Sequence, residues 1–134
     1  MIDKSIIKIA FDTKNYGLRN ITKNISTYKN KICGDKITVE LVIKKKEIKK
    51  MYYETQSCIF CQASASLLSR IATKNNIEEW SLIIKEINKN KGISSLKDDK
   101  LKIFNKLFLK KYNNRFSCVM LPFNALVKTA KNTL

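Results

Sequence analysis

At 134 residues the chain has the size of one domain, 1–134, able to enclose a single hydrophobic core without disulfide or metal staples, so a second domain is not expected. A hydrophobic fraction of 44% and a charged fraction of 28% describe a folded protein, and no apolar run approaches the roughly 20 residues of a membrane helix. The formal charge of +16 taken alone points to a polyanion such as RNA or DNA; however, the cations are almost all lysine, with arginine only at Arg19, Arg70 and Arg115, scattered among Ile and Asn, which favours solvated surface over a nucleic-acid patch and leaves acidic protein partners compatible.

Ile2, Ile6 and Ile9 stand at helical spacing, which predicts a short amphipathic helix from Ile2 to Phe11 that ends near Asp12. Lys8 and Asp12 interrupt this apolar block before it reaches the length of a signal-peptide core, so the expected compartment is the cytosol. Asn15, Gly17 and Asn20 read as loop, and Ile21 to Tyr28 as an edge strand. From Lys36 to Ile43, Ile37, Val39, Leu41 and Ile43 alternate with Lys36, Thr38, Glu40 and Val42, the period-two pattern of a strand with one buried face. A charged turn around Lys44 to Glu47 leads into Ile48 to Tyr53, and the two strands are predicted to form an antiparallel hairpin.

Beyond Gln56 the pattern becomes helical. Ala63, Ala65, Leu67 and Leu68 among serines predict a helix from Cys61 to Ala72 that packs closely on the sheet. Asn76 with Glu78 and Glu79 supplies a cap and an acidic first turn for a second helix, with Ile77, Trp80, Ile83, Ile84 and Ile87 on its apolar face and Gly92 as its stop. Lys89 to Lys100 is the most loop-like stretch. Leu101, Phe104, Leu107 and Phe108 predict a third helix, and Val119 to Thr133 a last one, interrupted early by Pro122. Strands followed by helices give the α+β class: a small three-stranded antiparallel sheet packed by several helices.

Cytosolic thiols stay reduced, so the four cysteines are read as ligands or nucleophiles before disulfides. The chain has no histidine. A soft-metal site must therefore be built from Cys sulfur, completed by Asp or Glu oxygen. Cys33 precedes the first hairpin strand and Cys58 follows the second, which puts them at the same end of an antiparallel pair. Gly34 permits the tight backbone that would aim Cys33 and Asp35 at one point. With Cys118 the set becomes three sulfurs and one oxygen, suited to tetrahedral Zn²⁺ or a thiolate-ligated iron–sulfur cluster. Arg115 is the nearest cation in sequence to offset so anionic a site. Taken singly, Cys33, Cys58 and Cys118 each read better as a small buried hydrophobe than as a ligand, and Asp35 is also open to reading as a turn residue. Cys61 makes Cys-x-x-Cys with Cys58, a spacing open to a redox pair, a fourth zinc ligand or a packed helix residue.

Three runs carry a family resemblance. Asn30-Lys31-Ile32-Cys33-Gly34-Asp35 resembles the Asn-Pro-x-Cys-Gly-Asp signature of the IscU/SufU/NifU N-terminal family. Cys58-Ile59-Phe60-Cys61-Gln62-Ala63-Ser64-Ala65-Ser66 is similar to its second segment, and Arg115-Phe116-Ser117-Cys118, followed by Leu121-Pro122-Phe123 and Ala125-Leu126, resembles its third. Asn15 and Gly17 echo an early Arg-Asn-x-Gly. Lys31, Ser57 and Phe123 stand where the family has Pro, Gly and Trp, and Ser117 where IscU proteins carry His. With no Leu-Pro-Pro-Val-Lys motif and a long gap between Cys58 and Cys118, the chain looks like the SufU branch. The resemblance implies iron–sulfur cluster assembly at a site of Cys33, Asp35, Cys58 and Cys118, holding zinc or a nascent [2Fe–2S] cluster. It also implies Cys33 as persulfide acceptor, Arg115 in support, and as partners a SufS-like cysteine desulfurase and carrier or recipient proteins of the cluster. The alternative from another class is a basic nucleic-acid-binding protein with a structural zinc.

Overall fold

A computed structural model describes residues 2–90 and 103–132. Helix α1 (Lys4–Ala10) is capped by Asp3, whose side chain accepts from the Ser5 N–H. Strands β1 (Ile25–Lys29), β2 (Lys36–Lys44) and β3 (Glu47–Gln56) follow, then α2 (Ile59–Ile71), α3 (Ile77–Asn90) and α4 (Phe116–Lys131). The strands form one antiparallel sheet in the order β1-β2-β3. Architecture and class are those expected from the sequence: three antiparallel strands with helices against them. Among the described residues no helix is long and apolar enough to cross a membrane.

Alternation builds the sheet's inner face. Ile37, Val39 and Leu41 of β2 are wholly buried, with Ile48, Met51 and Tyr53 of β3 beside them. Helices α2 and α4 cover that face; the buried Ser64 hydroxyl donates to the Val119 carbonyl at 2.7 Å and joins the two helices. Trp80 of α3 packs edge-on against Phe123 and donates its indole N–H to Ala72 O at 2.9 Å. The predicted cap of α3 is a reciprocal box: the Glu79 N–H donates to Asn76 Oδ1 and the Asn76 N–H to Glu79 Oε1.

Four expectations are corrected. β1 begins at Ile25, not Ile21, because the N–H groups of Ile21 and Thr22 donate to the Glu40 carboxylate instead of to a ladder. Glu40, expected on the solvent face, is 0% exposed, covered by that same segment. Over the described part of the expected third helix the chain forms a 3₁₀ segment, Ile103–Lys106, and a turn at residues 107–108; after Leu109 (φ −58°, ψ 144°) a second 3₁₀ segment runs over Lys110–Arg115. Spacing i, i+3 buries Phe104 and Leu107 as well in a 3₁₀ turn as in an α-turn. The last helix starts at Phe116 and continues through Pro122. Proline there removes the N–H that would bond to the Cys118 carbonyl, but 11 of the 16 helix residues are buried, and packing holds the helix across the gap. Leu101, Gly92 and Thr133, which entered the expectations above, lie outside the described residues.

Candidate metal centre

The cysteines gather at the end of the sheet away from the β2–β3 turn. Lys29 pairs with Lys36 and Lys36 with Gln56, so residues 30–35 form the loop joining β1 to β2, and Ser57 and Cys58 leave β3 beside it. The loop is held by its own backbone: Asn30 N–H donates to Asp35 O at 2.7 Å, and Gly34 N–H to Asn30 O at 2.8 Å. Gly34 has φ +78°, with open space where a Cβ would stand. Glycine is favoured there by backbone conformation, not by room.

Cys33, Asp35 and Cys118 offer three ligand atoms that all lie within 4.8 Å of one another. Cys33 Sγ and Cys118 Sγ are 3.5 Å apart and share a hydrogen bond, close to the ~3.8 Å edge of a tetrahedron with Zn–S bonds of about 2.3 Å. Cys33 is exposed and Cys118 buried on the first turn of α4. Asp35 is 8% exposed; its Oδ1 accepts from the Cys58 N–H at 3.2 Å, while its buried Oδ2 has no hydrogen-bond partner. A buried carboxylate oxygen left without a donor is costly unless a cation or water satisfies it. The donor set therefore fits a thiophilic cation.

Cys58, the fourth predicted ligand, is half-buried at the N-cap of α2 with its Sγ outside the 4.8 Å group. Its backbone nevertheless binds Asp35, and its thiol, with Asp35, lies near enough to disfavour ionisation of Cys118. Burial first, then the hydrogen bond from Cys33, pushes the Cys118 thiol well above its ordinary value. An incoming cation must displace that proton. Arg115 is exposed at the N-cap of α4 and forms no ion pair with Asp35. Cys61 is wholly buried in α2, its thiol pushed up to about 12 chiefly by burial, with Thr55 Oγ1 at 3.9 Å.

Ser57, the departure from the expected glycine, is part of the clasp that shapes the Cys58 turn. The Thr55 hydroxyl lies 2.6 Å from Lys36 O and 2.7 Å from Ser57 Oγ, and Gln62 Nε2 donates to Ser57 O at 2.8 Å.

Residues 1–112 match the family described as the NifU-like N terminal domain. The chain belongs to that family. The matched NifU-like region contains Cys33, Asp35 and Cys58, and Cys118 follows it in α4. A curated relative, the iron–sulfur cluster assembly scaffold protein IscU of Thermotoga maritima, is 29% identical over 132 residues, covering 98% of this chain and 93% of the relative. Among solved structures, a nitrogen-fixing NifU-like protein (N-terminal) from Brucella abortus superposes with a TM-score of 0.81 at 19% identity, over 98% of this chain and 95% of that one. A putative SUF-system scaffold from Fervidobacterium islandicum AW-1 superposes with a TM-score of 0.77 at 21% identity, over 96% and 95%. These two likenesses establish the NifU-like fold.

Two further residues, Asn30 and Ser117, meet at this site: Asn30 Nδ2 donates to Ser117 Oγ at 3.0 Å. Asn30 was visible as the start of the first motif and Ser117 as a departure in the third, but nothing in either run says that the two side chains meet.

Proposed function

We propose that this chain is an iron–sulfur cluster assembly scaffold of the SUF type. In this reading it holds its cargo at Cys33, Asp35, Cys58 and Cys118 and takes sulfur from a cysteine desulfurase. The observation that carries the proposal is the convergence of Cys33, Asp35 and Cys118 around a buried, unpartnered carboxylate oxygen. Family membership and the scaffold relative from Thermotoga support it, and Ser117 in place of His together with the long Cys58–Cys118 gap support the branch.

The chemistry follows from exposure. Cys33 is the exposed thiol of the three-residue cluster, the one a partner's persulfide can reach. Its thiolate attacks the terminal sulfur of that persulfide, the S–S bond breaks, and the donor cysteine leaves as thiolate while Cys33 carries the new persulfide. Cys118, buried 3.5 Å away, and Asp35 close the site from the protein side. Zn²⁺ held by these same residues would keep their sulfurs ionised between turnovers. A carboxylate oxygen is a harder and weaker ligand for this cargo than thiolate, which suits a site that must release what it holds.

A desulfurase assay reading alanine formation tests the proposal. The wild-type chain should stimulate turnover and Cys33→Ser should abolish the stimulation. Anaerobic protein should also contain about one zinc per chain or rebuild a coloured cluster with iron and sulfide. Failure of both metal tests would end the reading.

A further inference from the structure

Asn30 spends its polar groups on two separate parts of the chain. Its backbone N–H and C=O close the Cys33 loop onto Asp35 and Gly34, and its Oδ1 accepts from the Ile32 N–H at 2.9 Å. Its Nδ2 leaves the loop and donates to Ser117 Oγ at 3.0 Å, joining residues 87 apart in sequence. Ser117 immediately precedes Cys118 on α4. Asn30 is itself buried, where a broken bond is not cheaply replaced by solvent.

Besides this bond, the loop meets the helix where the Cys33 and Cys118 thiols lie 3.5 Å apart. Lys31, Ile32, Cys33 and Gly34 are all exposed, Ile32 at 86%, so side-chain packing does not fix their position. Clefts of about 670 Å³ and 380 Å³ adjoin this contact, with Ile32, Phe116 and Ser117 lining both. We propose that Asn30 and Ser117 form a latch, a pair of positioning residues that holds the Cys33 loop against α4 and so sets the Cys33–Cys118 separation. The consequence for function rests on the scaffold reading: the latch governs how firmly the site grips its cargo. Ser117 thus has a role of its own in this chain, serving the position of the neighbouring thiol without touching the cargo.

The test measures proximity directly in metal-free protein. Diamide, a two-electron thiol oxidant, should join Cys33 to Cys118, with the linkage mapped by mass spectrometry. Ser117→Ala should slow that cross-link roughly fivefold or more, the factor of one ordinary hydrogen bond, while alkylation of Cys33 by iodoacetamide does not slow. Ser117→Thr keeps the hydroxyl and should restore the rate; Asn30→Ala/Ser117→Ala should be no slower than Asn30→Ala alone. The melting temperature of Ser117→Ala should fall by a few degrees, as the loss of one hydrogen bond requires, leaving the variant folded under the assay conditions. Zinc-loaded Ser117→Ala should lose its ion to a chelator faster by a similar factor. Wild-type cross-linking in Ser117→Ala, or no rescue by threonine, overturns the latch. A wild type that takes up neither zinc nor cluster defeats the scaffold reading instead, and the cross-linking rates, which need no metal, still decide the latch.

Discussion

Glu40 shows how far one side chain can depart from what its strand pattern assigns. It alternates with the core residues of β2, yet its carboxylate accepts the backbone N–H groups of Arg19 and Asn20 on Oε1, at 2.7 and 2.9 Å, and of Ile21 and Thr22 on Oε2, at 2.8 and 3.2 Å. Burial on its own would raise its pKa, but these four bonds outweigh burial and hold the carboxyl below its ordinary value. Four successive backbone donors are satisfied by one residue, so the segment needs no strand partner. Glu40→Gln, which puts an amide N–H₂ against those donors, should cost about 2–4 kcal/mol. Because the folded value is the lower one, the stabilisation is complete above the unfolded carboxyl value of about 4.3 and is lost as pH falls through the folded value. Denaturant unfolding across that range should show the wild-type advantage over Glu40→Gln shrinking in acid; a constant difference would remove the ionised carboxylate from the explanation. In the sequence the residue is one polar member of an alternation, and nothing near it announces the loop that covers it.

At the scale of elements, the β2–β3 hairpin was legible and its turn chemistry was not. Lys44 pairs with Glu47, leaving Lys45 and Lys46 as a two-residue turn with φ +54° and +65°. Both are left-handed, the type I′ geometry usually supplied by Asn-Gly. Lysine bears the steric cost at each position, about 1 kcal/mol. Replacing Lys45-Lys46 by Asn-Gly should therefore stabilise the protein by about 1–2 kcal/mol, and a thermal melt that fails to rise would show that strain there is relieved in some other way. The 3₁₀ segments before α4 mark the opposite case. Apolar spacing around Phe104 and Leu107 could not distinguish a 3₁₀ turn from an α-helix, and the extended Leu109 carries no local breaker. Pro122 misled in the other direction: its local penalty is real, but the burial of α4 overrides it.

Across the whole molecule, 27 lysines and arginines stand against 11 acidic residues, a formal charge of +16. Among the described residues the ion pairs are Lys49–Glu47 at 2.7 Å and Arg70–Asp12 at 3.0 Å, both substantially exposed, and such pairs contribute little. Like charges on a compact surface repel one another, and salt shortens their reach to about 10 Å at 0.1 M. The melting temperature should therefore rise between low and moderate salt; a fall would mean that the two exposed ion pairs outweigh the general repulsion.

Periodicity, capping residues and three short motifs are local properties, so the sequence alone determined the α+β class, the central hairpin, the Asn76–Glu79 box and the family. The convergence of Cys33 with Asp35 belongs to the same category, since Gly34 and a loop of six residues confine them. Tertiary structure alone decided that Cys118 reaches them, that Cys58 Sγ stands outside the tight group, that Glu40 is enclosed, and that Asn30 meets Ser117. Each depends on segments distant along the chain being carried together: α4 packed on the sheet brings Cys118 and Ser117 to the Cys33 loop, the segment from Arg19 to Thr22 closes over Glu40, and the start of α2 places Cys58. Their separation in space is set by core packing across many residues, which no short stretch of sequence encodes.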